Sequence, residues 1–212
     1  MSWWPLKNAG PAKPGEGSGR QLDALRASLG KSPAQLSVSD LFPVLLPAAI
    51  FHACEWPGPF RFLTLEGLAQ TWVILQPEQT MRYVDHQAEA YWAEQGIDWR
   101  AIAFGNLRRT SQGALWTHEF RRDTGEIYAA GMMQPDGIGP TRLLLREELR
   151  AEFPGGYLVS VPERSCGLVL SESATDREAA QIRDIAARCY EEGTNPVLAG
   201  FYSSDCLQPV DS

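Results

Sequence analysis

Apolar positions change period several times along the chain, and each change marks an expected element. Leu22, Leu25 and Leu29 recur at i, i+3 and i+7, which predicts an amphipathic helix over Gln21–Leu29 with a narrow stripe, stopped by Gly30. Ser39-Asp40 can cap a second helix carrying Leu41, Phe42, Leu45 and Ala48; Pro43 suits its first turn, and Pro47 bends or ends it. Phe60–Leu63 and Thr71–Leu75 are rich in aromatic and β-branched residues and predict strands. Asp85 precedes a helix with Ala88, Tyr91, Trp92 and Gln95 on one face, closed by Gly96. Asp98 precedes another, with Ile102, Ala103 and Leu107. Trp116–Phe120 and Ile127–Met132 predict a hairpin around Asp123-Thr124-Gly125. Pro140 opens a helix carrying Leu144, Leu145, Leu149 and Phe153, ended by Pro154-Gly155-Gly156. Tyr157–Val161 and Cys166–Leu170 make a second hairpin, with the weak alternation of strands covered on both faces. Thr175-Asp176-Arg177-Glu178 is a capping box before a stripe of Ile182, Ile185, Ala186 and Cys189, and Gly193 ends that helix.

Hairpins interspersed with helices, without strict βαβ alternation, predict an α+β fold: a mainly antiparallel sheet flanked by about six helices. The 212 residues divide into an N-terminal arm (1–20), a single domain (21–195) and a C-terminal tail (196–212). The arm is rich in Gly and Pro from Asn8 to Arg20, so a flexible segment is expected, with Trp3 and Trp4 docking on the body or on a partner. Val197, Leu198, Phe201 and Tyr202 are placed to pin the tail. Met1–Lys7 lacks the pattern of a secretory signal, and the apolar stretch Leu41–Ala53 is too short for a bilayer span and holds two prolines. A cytoplasmic location is therefore expected, with Cys54, Cys166, Cys189 and Cys206 as free thiols, mostly buried.

The net charge of −7 argues against non-specific binding to nucleic acid or an anionic membrane, both of which need clustered cations. Within it, Asp85–Trp99 holds Asp85, Glu89, Glu94 and Asp98 but no Lys or Arg, whereas Arg100, Arg108, Arg109, Arg121 and Arg122 follow. This small acidic stretch, with Trp56 and Trp99 as aromatic contacts, is the candidate surface for a basic protein partner.

Candidate chemistry is sparse. His52 and Cys54 form one close pair, and a zinc site usually needs two. Asp85-His86 suits a helix cap better than a general base, and His118 shares a strand face with Trp116 and Phe120. Cys166 follows Arg164 at a turn, yet a catalytic thiol needs a histidine beside it. No nucleophile elbow, phosphate loop or H-E-x-x-H is found, and no catalytic residue, metal or cofactor is assigned. Gly137-Ile138-Gly139-Pro140-Thr141-Arg142 opens a helix. This makes Gly139, Arg142 and Arg164 an alternative, anion-holding set.

Several segments resemble the YtpQ-like family of bacterial domains of unknown function. They are Asp40–Leu45, Thr71–Leu75, Ala101–Arg108 with its A-x-x-N-L, Thr141–Leu145, and Val159–Arg164, spanning roughly Asp40 to Leu170. Ser165 stands where that pattern has an acidic residue. The resemblance implies a cytosolic α+β domain and supplies no activity, so no catalytic residue is carried over. The function expected is a non-enzymatic protein-binding module, such as an immunity protein that neutralises a toxin through the acidic stretch. An enzyme or ligand-binding domain using Arg142 and Arg164, and a homo-oligomeric structural domain, are the alternatives.

Overall fold

In the computed structural model, which describes residues 32–76, 80–112, 116–134 and 136–210, two antiparallel sheets face a shared apolar interior. The first is built from β1 (Leu41–Pro47), β2 (Phe60–Phe62), β3 (Leu68–Gln76) and β4 (Thr80–Tyr83). β3 is central: β1 pairs along one side, and β2 and β4 lie end to end along the other. The second sheet has the order β5 (Thr117–Phe120), β6 (Ile127–Met132), β8 (Cys166–Ser171), β7 (Tyr157–Glu163), β9 (Tyr202–Ser203). Five α-helices are present among the described residues: α1 (Ala49–Ala53), α2 (His86–Glu94), α3 (Trp99–Thr110), α4 (Arg146–Glu152) and α5 (Asp176–Glu192). The fold is α+β. The predicted helix at Gln21–Leu29, the arm and its Trp3-Trp4 lie outside the described residues.

Leu45, Leu63 and Leu68 of the first sheet region meet Met132, Val159, Val161 and Val169 of the second, with Leu143, Leu149 and Phe153 covering them. Each such side chain, fully buried, stabilises the fold by roughly 1.5–3 kcal/mol. Trp72 of β3 packs with Trp92 and Trp99 of α2 and α3, which cover part of one face of the first sheet. Helix α5 lays Ala179 and Ile182 on Tyr128, Ala129 and Leu170 of the second sheet, and its Thr175–Glu178 capping box is formed as expected. The tail returns to the body: Val197 and Leu198 donate to Pro162 and Val161 of β7, and Val210 donates to the Phe62 carbonyl of β2.

The largest difference from expectation lies in the first strand. Leu41–Pro47 is not a helix but the edge strand β1, buried along nearly its whole length. Its apolar run lacks period 2 because both faces are covered, and its prolines are tolerated because an edge strand leaves amides unpaired. The turn before it, Val38–Asp40, is 3₁₀ and capped by Ser37 rather than by Ser39-Asp40. Asn106 of α3 fixes that turn by donating to the carbonyls of Val38 (2.8 Å) and Leu41 (3.0 Å). The Pro140 segment splits into a 3₁₀ stretch, Gly139–Leu144, and the short α4. Among the described residues no helix is long and apolar enough to cross a membrane.

Candidate functional site

The acidic stretch is less acidic in space than in sequence. Asp85 caps α2 by accepting from the Ala88 amide (2.8 Å) and pairs with the buried Arg82 (3.5 Å). Glu89 accepts from Arg100 (2.6 Å) and meets His86 Nδ1 (3.1 Å). Asp98 caps α3 through the Ala101 amide (3.1 Å) and is exposed. Glu94, at the far end of α2, is exposed and has no ion-pair partner among the described residues. Of four carboxylates, two are neutralised by arginines lying just outside the stretch. Trp99 is 3% exposed and packed against Trp72 and Trp92, so it supports the core and cannot reach a partner.

Trp56 is half-buried and belongs to a different surface. Strand alternation sets one side of the β2–β4 edge with Phe60, Phe62, Met81 and Tyr83, and the other side with Arg61 and Arg82. On the first side the rings form a continuous strip. Phe51 stacks on Phe60 (4.6 Å) and meets Trp56 at a tilt (4.7 Å), and Trp56 meets Tyr83 edge-on (4.9 Å). Phe62 touches Phe60 (5.4 Å) and stacks on His52 (4.9 Å). Arg164 ends the strip by donating to the Tyr83 hydroxyl (3.0 Å). Phe60 is 38% exposed, and the buried Trp56 Nε1 has no acceptor.

The loop carrying Trp56 is seated by the backbone. The His86 amide donates to the Pro57 carbonyl (3.1 Å), and the Thr71 hydroxyl to the Pro59 carbonyl (2.8 Å). Gly58 sits so close to β4 that a Cβ there would lie 1.8 Å from the Val84 carbonyl oxygen. Only glycine permits that approach.

The alternative anion set is not assembled as a cradle. Arg142 is 0% exposed and paired in a fork with Asp136 (2.6 and 3.3 Å), while Arg164 serves Tyr83. Gly139 is packed under the end of β6, where a Cβ would meet the Met132 carbonyl oxygen at 2.8 Å. Among the described residues no hydrogen bond or ion pair joins Arg142 to Arg164. A groove of about 270 Å³ is lined by Arg108, Leu144, Arg146, Glu147 and Arg150. Its guanidinium groups are balanced: Arg108 by Glu147 and Glu148, Arg146 and Arg150 by Asp205.

The other titratable candidates fall into packing roles. His118 and Trp116 of the β5 segment both meet Glu152 of α4. His52 and Cys54 are exposed at the end of α1. Cys54, Cys166, Cys189 and Cys206 are free thiols; only Cys166 is fully buried, and its thiol donates to the Cys189 sulfur (3.6 Å). That bond and burial push the Cys166 thiol up, whereas the same bond, against the effect of burial, pulls Cys189 down. Among the described residues no group of three or more His, Cys, Asp or Glu could hold a metal ion.

The sequence pattern singles out Trp56 as an aromatic contact and His52 and Arg164 for other chemistry, but not the strip that joins them. The cue was the alternation Phe60-Arg61-Phe62 and Met81-Arg82-Tyr83, legible only once β4 is known to lie beside β2's neighbour. No protein-family model matches the chain, and no curated protein or solved structure matches it.

Proposed function

We propose that the protein is a non-enzymatic protein-binding module, of the immunity or adaptor kind, that docks a basic partner through the aromatic strip Trp56–Phe60–Phe62–Tyr83. The observation that carries this reading is the exposed Phe60 at the centre of a seated ring cluster ending in Arg164. Trp, Tyr and Arg dominate binding hot spots because they combine large rigid area with a polar tip. The net charge of −7, with exposed Glu55 beside Trp56 and exposed Glu94 and Asp98 on the helices that follow, favours a basic partner. The acidic stretch then steers the encounter and the strip anchors it, rather than the acids carrying the affinity themselves. Arg142 is structural in this reading, which sets aside the Arg142–Arg164 ligand site.

The test is capture from native lysate with wild-type bait, Phe60→Ala bait and Glu94→Lys bait. Phe60 is exposed, so its truncation leaves folding intact. The expected result is a stoichiometric basic protein on the wild type, lost with Phe60→Ala and reduced with Glu94→Lys. Bait recovered alone, or equal capture by Phe60→Ala, overturns the proposal.

A further inference from the structure

The opposite side of the same sheet edge holds polar groups that find no hydrogen-bond partner among the described residues. Arg61 of β2 lies directly across from Gln70 of β3, and Trp72 follows Gln70 on the same side. The Arg61 guanidinium stands 5.0 Å from the centre of the Trp72 ring. From helix α3, the Arg100 guanidinium stands 5.3 Å from that ring and 4.1 Å from the ring of Trp99. Two cations therefore stand close to one indole. Arg100 is joined to Glu89 (2.6 Å), but Arg61 has no carboxylate within ion-pair distance among the described residues. Arg82, on this side as well, is tied to Asp85. Burial first, and then the positive charge of Arg100, lower the pKa of Arg61. Its charge is thus unmatched where it stands.

Beside these cations are two buried donors without acceptors. Gln70 is 2% exposed and Trp72 1% exposed, and among the described residues neither Gln70 Nε2 nor Trp72 Nε1 has a hydrogen-bond partner. Stacking on an indole accounts for the position of each arginine. It does not account for an unpaired guanidinium placed against a second cation and a buried amide that donates to nothing. Unsatisfied buried donors are costly and rare, and a cluster of them calls for an acceptor. An oxyanion supplies several acceptor oxygens and a negative charge together, and guanidinium groups bind carboxylate and phosphate in a fork.

We propose that Arg61, Gln70, Trp72 and Arg100 form a binding site for one small oxyanion, a carboxylate or a phosphate group. The site lies on the other side of the sheet from the aromatic strip and does not depend on the protein-docking reading. Arg61 provides the net charge, Gln70 and the Trp72 indole N–H provide neutral donors, and Arg100 remains braced by Glu89.

The full chain is titrated in chloride buffer with inorganic phosphate and, separately, with acetate, against sodium chloride at matched ionic strength. Tryptophan emission and the thermal midpoint are read together. One oxyanion is expected to saturate at one equivalent, changing emission and raising the midpoint, since a ligand that binds only the folded state stabilises it. Whichever probe does so separates a phosphate ligand from a carboxylate one. Arg61→Met is expected to weaken binding about tenfold or more, and Gln70→Leu about fivefold, through loss of charged and neutral hydrogen bonds respectively. Phe60→Ala is expected to leave it unchanged. If neither oxyanion exceeds chloride, or if Arg61→Met and Gln70→Leu saturate like the wild type, the site is overturned. Should Arg61→Met fail to fold, Gln70→Leu alone decides.

Discussion

Strands β2 and β4, end to end along one side of β3, present two unlike surfaces. On one side Phe60, Phe62, Met81 and Tyr83 join a ring cluster, and the cation at its end, Arg164, has a hydroxyl partner. On the other, Arg61 and Arg82 occupy equivalent places in the patterns Phe-Arg-Phe and Met-Arg-Tyr, yet their surroundings differ. Arg82 is buried and has Asp85 three residues on; Arg61 is half-buried, stands over the Trp72 ring and has no carboxylate partner among the described residues. The difference teaches that a strand's polar alternation fixes where a charge stands but not whether it is answered. The answer depends on a carboxylate being within reach, and a buried charge without one is a candidate for an external partner.

The comparison breaks most sharply at the loop that seats the aromatic side. Gly58→Ala drives a methyl into the Val84 carbonyl, and the backbone must shift. A loss of about 3 kcal/mol is expected, as for severe overpacking. In a domain of this size that lowers Tm by roughly 6–12 °C. An unchanged Tm in thermal denaturation would show that the loop, and Trp56 with it, is not held against β4.

Next comes a contrast between buried amides. Asn106 donates to two carbonyls and accepts from Arg109 (3.0 Å). Asn106→Leu strands those carbonyls and should cost about 2 kcal/mol, seen as a lower urea midpoint at constant slope. On the aromatic side, Tyr83→Phe removes only the acceptor of the Arg164 bond. It should cost about 1 kcal/mol. A Tyr83→Phe loss as large as that of Asn106→Leu would mean that Arg164 is buried more deeply than its partial exposure implies.

Much of the fold was legible because its markers are local. The Asp85 and Asp98 caps, the Thr175–Glu178 capping box and the two hairpins are each set by residues within a few positions of one another. What failed was β1, where burial on both faces erased the period and Ser39-Asp40 imitated a cap. The site was less legible, for reasons of distance in sequence. Asp85–Trp99 reads as acidic because its neutralising cations, Arg82 and Arg100, lie just outside it. Arg142 reads as a surface cation at a loop, but it is sealed in the core by Asp136, and nothing in G-x-G-P-x-R announces that burial. The strip and the cationic side both need the β2–β3–β4 register, which joins residues of three separate strands.

The smallest expected effect is also the most discriminating between the two sides. In a structural site, replacing a buried polar residue removes hydrogen bonds and lowers stability; in an unoccupied binding site, it removes only an unmet demand. Among the described residues Gln70 has no partner for its amide nitrogen, and it lies between Leu45 and Arg61 in register. Gln70→Leu in anion-free buffer should therefore be neutral, or should raise stability by about 0.5–1 kcal/mol, because a buried donor without an acceptor is replaced by an apolar group of similar size. A loss comparable to that of Asn106→Leu would mean that Gln70 is satisfied within the fold, and Arg61 would then be a surface stack on Trp72 rather than part of a site. The sign of this change is more telling than its size, since it separates a donor that holds the sheet together from one that awaits a ligand.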